Sequence, residues 1–123
     1  MDGHSFTSRP LPFEKDQSSE RPDICIGTDD FHTPEALAAH IRDYAARRGM
    51  SARRNFPFAG AITPMMHYRR DARVQSVMLE VNRKLYMNEE TGDKLARFDG
   101  MRGFVRGLLE SMADFSMPGR GSP

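Results

Sequence analysis

Residues 23–27 of the chain read DICIG, and this short run sets the class of fold. The continuous apolar stretch Ile24, Cys25 and Ile26 predicts a strand that is covered on both faces of its sheet. The run ends at Gly27, where a polar stretch begins. Cys25 is the single cysteine of the chain, which excludes an internal disulfide, and its apolar neighbours predict a buried thiol rather than a reactive one.

A helix is predicted directly after this strand. Thr33 supplies a hydroxyl for the N-cap, Pro34 suits the first helical position, and Glu35 places an acid in the first turn. Apolar residues recur at positions 37, 41, 44 and 45, and Gly49 follows two arginines as a stop signal. Residues 51–56 then suit a short strand. A strand, a helix and a strand in this order predict a parallel crossover.

A second strong strand is predicted over residues 74–81, VQSVMLEV, in which Glu80 is a conspicuous acid. Residues 88–93 have the composition of a polar turn, and residues 101–112 repeat apolar side chains with the period of an amphipathic helix. The fold class is therefore α/β, with a partial mixed sheet flanked by helices. We expect residues 1–115 to be folded and residues 116–123, which are small or proline-rich, to form a disordered tail.

The remaining features exclude several classes of protein. The chain has 123 residues, enough for one domain, and its 18 basic and 17 acidic side chains leave a net charge of +1. Without a strongly basic surface we expect no nucleic-acid partner. No apolar stretch approaches the length of a membrane span, so we expect a soluble, cytoplasmic protein with no membrane partner. Residues 6–22 have no periodicity and predict a surface loop or a frayed arm.

Two side chains are candidates for chemistry. His4 lies in the segment Asp2-Gly3-His4-Ser5, and a neutral imidazole is a common zinc ligand, although an exposed N-terminal histidine explains it equally simply. Glu80 lies at the end of an apolar strand, where lost hydration raises a carboxyl pKa and suits the group for accepting a proton. An ion pair between Glu80 and Arg83 is the structural alternative.

Residues 53–60, RRNFPFAG, are a second dense segment, in which Arg54 and Asn55 suit an anion pocket. Solvated arginines before an ordinary turn are the other interpretation. The three remaining histidines show no metal-ligand spacing, and we expect none of them to be ligands: His32, His40 and His67.

Four segments taken in order resemble the N-formylglutamate amidohydrolase family. They are residues 2–5 (DGHS), 21–29 (RPDICIGTD), 55–61 (NFPFAGA) and 79–87 (LEVNRKLYM). The resemblance implies a phosphorylase/hydrolase-like fold, related to zinc carboxypeptidases, and a zinc-dependent enzyme that hydrolyses an N-formyl or N-acyl amino acid. It implies His4 as a metal ligand and Glu80 as the catalytic base. It also implies a substrate wall, for which the candidates are Arg83, Asn55, Arg54 and Thr63.

The resemblance covers the C-terminal part of the family's domain. Members of the family have a further N-terminal half, which supplies the other metal ligands, whereas one ligand is recognisable here. We therefore expect a truncated or mis-started gene product, or a split protein, which acts with a missing N-terminal half or as a homodimer. The alternative function is a non-catalytic remnant that dimerises or binds a carboxylate through its arginines.

Overall fold

The computed structural model describes residues 1–115, which form four strands, two helices and one 3-10 turn. The elements in chain order are β1 (Asp2–Phe6), β2 (Ile24–Gly27), α1 (Glu35–Arg47), β3 (Ala52–Arg54), β4 (Met78–Asn82), the 3-10 turn (Arg83–Leu85) and α2 (Phe98–Ala113). The predicted tail at residues 116–123 lies outside the described residues. No helix within residues 1–115 has the length and apolar character that crossing a membrane requires.

The four strands form one mixed sheet in the order β1-β4-β2-β3. β1 runs parallel to β4, and β2 runs parallel to β3, whereas β2 and β4 are antiparallel. The predicted parallel pairing of the two strands that flank α1 is therefore confirmed, as is the α/β class with a mixed sheet. β1 lies at one edge of this sheet and β3 at the other.

Both helices pack on the same face of the sheet, which we call the helix face. Strand residues that point to it include Ile24, Ile26 and Leu79, which are at most 2% exposed. Ile41 of α1 and Leu108 of α2 are fully buried against them. Side chains alternate along a strand, so the residues between these apolar ones must point to the opposite face.

Several predicted boundaries were wrong, and the structure gives the reasons. β4 begins at Met78 rather than at Val74, because Ser76 bonds to the loop before α1 and not to a neighbouring strand. β3 ends at Arg54, since Asn55 adopts a positive φ of 54°. The N-cap of α1 is Pro34, because the Thr33 hydroxyl donates to the carbonyl of Ser76 instead, at 2.6 Å.

The end of β2 makes an unusually close approach to a loop. A Cβ placed on Gly27 would lie 2.1 Å from the carbonyl oxygen of Gly60 and 2.8 Å from Cβ of Met78. The first of these atoms belongs to the backbone and cannot swing aside. Glycine at this position therefore lets the loop of residues 55–60 lie directly against the sheet.

Candidate active site

The face of the sheet opposite the helices carries the chemical groups. His4 of β1 is the register partner of Glu80 on β4, and Glu80 is in turn the partner of Cys25 on β2. Paired residues on neighbouring strands point to the same side. Asp2, two residues before His4, shares that side. We call the surface formed by Asp2, His4, Cys25 and Glu80 the polar face.

Asp2 and His4 form a hydrogen-bonded pair at the edge of the sheet. The distance from His4 Nε2 to Asp2 Oδ1 is 2.8 Å, and the His4 side chain is 45% exposed. The second carboxylate oxygen of Asp2, Oδ2, is buried and has no hydrogen-bond partner among residues 1–115. A carboxylate that accepts a hydrogen bond from one ring nitrogen fixes the orientation of the imidazole and leaves the other nitrogen as a lone-pair donor.

Glu80 is buried on the polar face with one oxygen unsatisfied. The residue is 7% exposed, and its Oε2 has no hydrogen-bond partner within the described part of the chain. Burial raises the pKa of the Glu80 carboxyl, and Asp2 and Glu14 raise it further, while His4 and Arg21 act in the opposite direction. The net effect is a pKa above the usual range of a glutamate, which makes this group a stronger proton acceptor than an exposed carboxylate.

Arg21 anchors the loop of residues 7–20 beside the polar face through contacts at the start and in the middle of the loop. Its side chain is 1% exposed and pairs with the carboxylate of Glu14, which is 10% exposed. Its guanidinium also donates to the carbonyl of Thr7 at 3.0 Å and lies within 6 Å of the ring centroids of Phe6 and Phe58. The predicted frayed arm is thus held in place by a buried arginine, with Phe58 covering the face from the other side.

Cys25 is the buried thiol that the sequence predicts. It is fully buried, and its Sγ donates to the carbonyl of Phe58 at 3.2 Å. Burial is the main reason that the pKa of this thiol is raised, and the nearby Glu80 adds to it. The thiol therefore remains protonated at neutral pH and is a poor nucleophile.

We expect Cys25 in the native protein to react with a soluble disulfide reagent at least about 100-fold more slowly than in denaturant, since reaction requires both opening and deprotonation. The measurement is the rate of thiol release near pH 7.5 with and without guanidinium chloride. A serine-to-cysteine change at exposed position Ser19 serves as the control and should react rapidly in both conditions. Equal rates for Cys25 in the two conditions would contradict the buried placement.

Arg83 lies away from the polar face. Its Nε donates to Ser5 Oγ at 3.1 Å, and Ser5 points to the opposite side of β1 from His4. The alternative of an ion pair between Glu80 and Arg83 is not observed among residues 1–115. A role of Arg83 in binding substrate stays a prediction.

The other predicted wall residues make contacts within the protein. Arg54 forms a bidentate pair with Glu35, at 2.6 and 2.8 Å. Asn55 bridges two loops, because its side-chain oxygen accepts from the backbone of Thr28 and of Gly60 and its nitrogen donates to the Thr28 hydroxyl.

Thr63, the fourth predicted wall residue, is 5% exposed and hydrogen-bonds Ser76 at 2.8 Å. These bonds give Arg54, Asn55 and Thr63 structural roles, and their contact with substrate stays a prediction.

The polar face carries donor types that zinc accepts. An imidazole nitrogen and carboxylate oxygens are suitable zinc ligands, and among residues 1–115 the Oδ2 atom of Asp2 and the Oε2 atom of Glu80 are acceptors without a hydrogen-bond partner. Within residues 1–115, however, no three His, Cys, Asp or Glu side chains converge closely enough to hold a metal ion. Since catalytic zinc usually has three protein ligands, these residues supply an incomplete set.

Two residues at or beside the polar face were not assigned a role from the sequence. Asp2 was detectable, because its spacing of two from His4 puts both on one face of a strand. Arg21 was not, since its partners Glu14, Thr7 and Phe58 are brought to it by loops with no periodic signal.

Comparisons with known proteins show the family of the chain and support its fold. The sequence model described as N-formylglutamate amidohydrolase matches residues 1–87, which include β1, β2 and β4. A crystal structure of N-formylglutamate amidohydrolase from Ralstonia eutropha JMP134 is similar in fold, with a TM-score of 0.74 at 24% sequence identity. The match covers 91% of this chain and 41% of that chain, so the present chain spans less than half the length of its structural relative. The search of curated proteins gave no match. Because the family's sequence model accounts for most of the chain, the protein belongs to the N-formylglutamate amidohydrolase family.

Proposed function

We propose that this chain forms part of a metal-dependent amidohydrolase that removes a formyl or related acyl group from an N-acyl amino acid. The observation that supports the proposal best is the pairing of His4 with Glu80 on the polar face. This pairing places a candidate metal ligand beside a buried carboxyl group that has one unsatisfied oxygen. Metal-assisted hydrolysis of an amide needs a metal ligand and a proton acceptor close to one another.

His4 is the proposed zinc ligand of this chain. Its Nε2 is engaged by Asp2 at 2.8 Å, so Nδ1 is the nitrogen that faces the metal in the proposal. Zinc, when bound, lowers the pKa of a coordinated water and polarises the acyl carbonyl. The remaining ligands come, in this proposal, from a further polypeptide segment or from a second copy of the chain, since residues 1–115 do not bring three donors together.

Glu80 is the proposed catalytic base. Its raised pKa favours taking up a proton at Oε2 from the attacking water, and the same oxygen then returns that proton to the leaving amine. Arg21 supports this role from the adjacent loop, because it holds Phe58 and the loop of residues 7–20 over the face and keeps bulk water away from Glu80. Arg54, Asn55, Thr63 and Arg83 remain candidates for contacts with the substrate carboxylates.

The test is formate release from N-formyl-L-glutamate with zinc present. The chain is assayed alone and mixed with the part of the Ralstonia eutropha protein that lies outside the match. We expect turnover in the mixture, and we expect His4→Ala to reduce it together with zinc affinity. His67→Ala is the matched control and should leave both unchanged. Absence of turnover in the mixture, with no zinc binding, would instead favour a non-catalytic remnant that dimerises or binds carboxylates.

A further inference from the structure

His32 is a fully buried histidine whose two ring nitrogens are bonded to backbone groups. Nδ1 lies 2.8 Å from the carbonyl oxygen of Val74, and Nε2 accepts from the backbone N–H of Arg69 at 2.8 Å. A carbonyl can only accept and an N–H can only donate, so these bonds require a neutral ring with its proton on Nδ1. The ring also lies against the rings of Phe31 and Tyr68, at centroid distances of 4.6 and 5.9 Å.

Residues 62–74, which we call the 62–74 segment, are attached at the start by the bond between Thr63 and Ser76, and in the middle and at the end by the His32 ring. The segment's own backbone bonds are largely internal turns, such as His67 to Pro64 and Arg70 to His67. His32 is what connects its middle, at Arg69, and its end, at Val74, to the loop before α1. Arg69 is held there at a positive φ of 55°, a conformation that costs free energy for a residue with a side chain.

We propose that His32 is a proton-sensitive lock, and that protonation of its ring releases the middle and the end of the 62–74 segment, at Arg69 and Val74, from the loop before α1. An imidazolium carries N–H groups on both nitrogens, so Nε2–H would face the N–H of Arg69 and the acceptor would be lost. The charge would also arise at a residue that is 0% exposed. Release lets Arg69 leave its left-handed conformation. It exposes the backbone beside Met65 and Met66, whose side chains already face solvent.

The surrounding charges do not remove this effect. Asp29 and Asp30 precede the ring in the chain, and Asp29 Oδ1 already accepts the backbone N–H groups of Phe31 and His32. On the segment, Nε of Arg69 donates to the Tyr68 hydroxyl. The Tyr68 hydroxyl, together with Asp29 and Asp30, raises the pKa of the Arg69 guanidinium, which stays charged.

Farther along the segment, Asp71 pairs with Arg73 at 2.9 Å. Attraction to Asp29 would favour protonation of the His32 ring. It would not supply a new acceptor for the backbone N–H of Arg69. The proposal does not depend on the enzymatic function.

The test follows hydrogen exchange of the Arg69 amide and the ring nitrogens of His32 by NMR. In the closed segment the ring should be neutral with its proton on Nδ1, and at about pH 7.5 the Arg69 amide should be protected. Lowering the pH to about 5 should raise the opening equilibrium of the Arg69 amide, corrected for intrinsic exchange, by about tenfold or more, because the released ring can take up a proton that the closed ring has no place for. An opening equilibrium that does not change with pH, or a charged ring with Arg69 still protected, would overturn the proposal.

Two variants separate the lock from a general effect of acid. His32→Gln provides a donor and an acceptor that do not titrate, so the acid-induced opening at Arg69 should disappear. His40→Gln is the matched control, because His40 bonds the Ser111 hydroxyl at 3.0 Å and a hydroxyl can accept from a charged ring. Acid-induced opening should persist in this control. If His32→Gln does not fold, the exchange measurement on the unmodified chain decides the question independently.

Discussion

Replacing Arg21 by methionine should lower the free energy of unfolding by about 3–5 kcal/mol. The Glu14 side chain is only 10% exposed, and the substitution removes its cationic partner. A buried charge without a partner is costly. It also removes the bond to the Thr7 carbonyl and the contacts with the Phe6 and Phe58 rings. Equilibrium unfolding in urea at neutral pH measures the change.

Two further variants identify the cause of this loss. Adding Glu14→Gln to Arg21→Met removes the stranded charge, so the double variant should recover a large part of the lost stability. Arg54→Ala breaks the pair with Glu35, whose side chain is 75% exposed, and should cost much less, because exposed ion pairs contribute little to stability. If Arg21→Met costs no more than Arg54→Ala, the loop of residues 7–20 is not anchored by Arg21.

Glu80→Gln should reduce amide hydrolysis by the zinc-loaded, complemented protein by about 100-fold to 10,000-fold, the range expected for loss of a general base. Glutamine keeps the shape of the side chain and cannot accept the proton. The measurement is kcat for formate release under the conditions described above. Glu110→Gln on the exposed side of α2 is the control and should leave kcat unchanged.

The same variant should be more stable than the unmodified chain at pH 7 to 8. A carboxyl whose pKa is raised in the folded state favours folding while it is protonated, and this contribution is lost as pH rises from the unfolded pKa through the folded pKa. Glutamine does not ionise and avoids that loss. Unchanged activity together with unchanged pH dependence of stability would contradict the proposed role of Glu80.

The main strands and helices were predictable because their buried apolar residues recur in simple patterns along the sequence. The apolar run at residues 23–27 and the helical stripe through Leu37 and Ile41 correspond to β2 and α1, and both are buried as expected. Hydrophobic periodicity does not predict hydrogen bonds between a side chain and backbone groups that are distant in the sequence. Ser76 was placed inside a strand because it stands in an apolar run, whereas His32 and Thr33 hold it in the segment before β4.

The candidate site was also predictable only in part, because local patterns reveal strand residues but not long-range contacts. His4 and Glu80 were found because each lies in or beside a strand, and sheet register brings them together. The antiparallel pairing of β2 with β4, which adds Cys25 to this row, has no local signal. The wall residues were chosen for their chemical type, and type alone does not reveal that Arg54 and Asn55 already bind Glu35 and Thr28.

The contact between Gly27 and the carbonyl of Gly60 has a consequence for how this family diverges. With 2.1 Å available, position 27 admits hydrogen and nothing larger while the loop keeps its place. In a relative with alanine or serine at position 27, the loop of residues 55–60 must lie farther from the sheet. Phe58 would then lie farther from Cys25 and Glu80. The residue at this one aligned position thus reports whether the loop of residues 55–60 lies against the polar face.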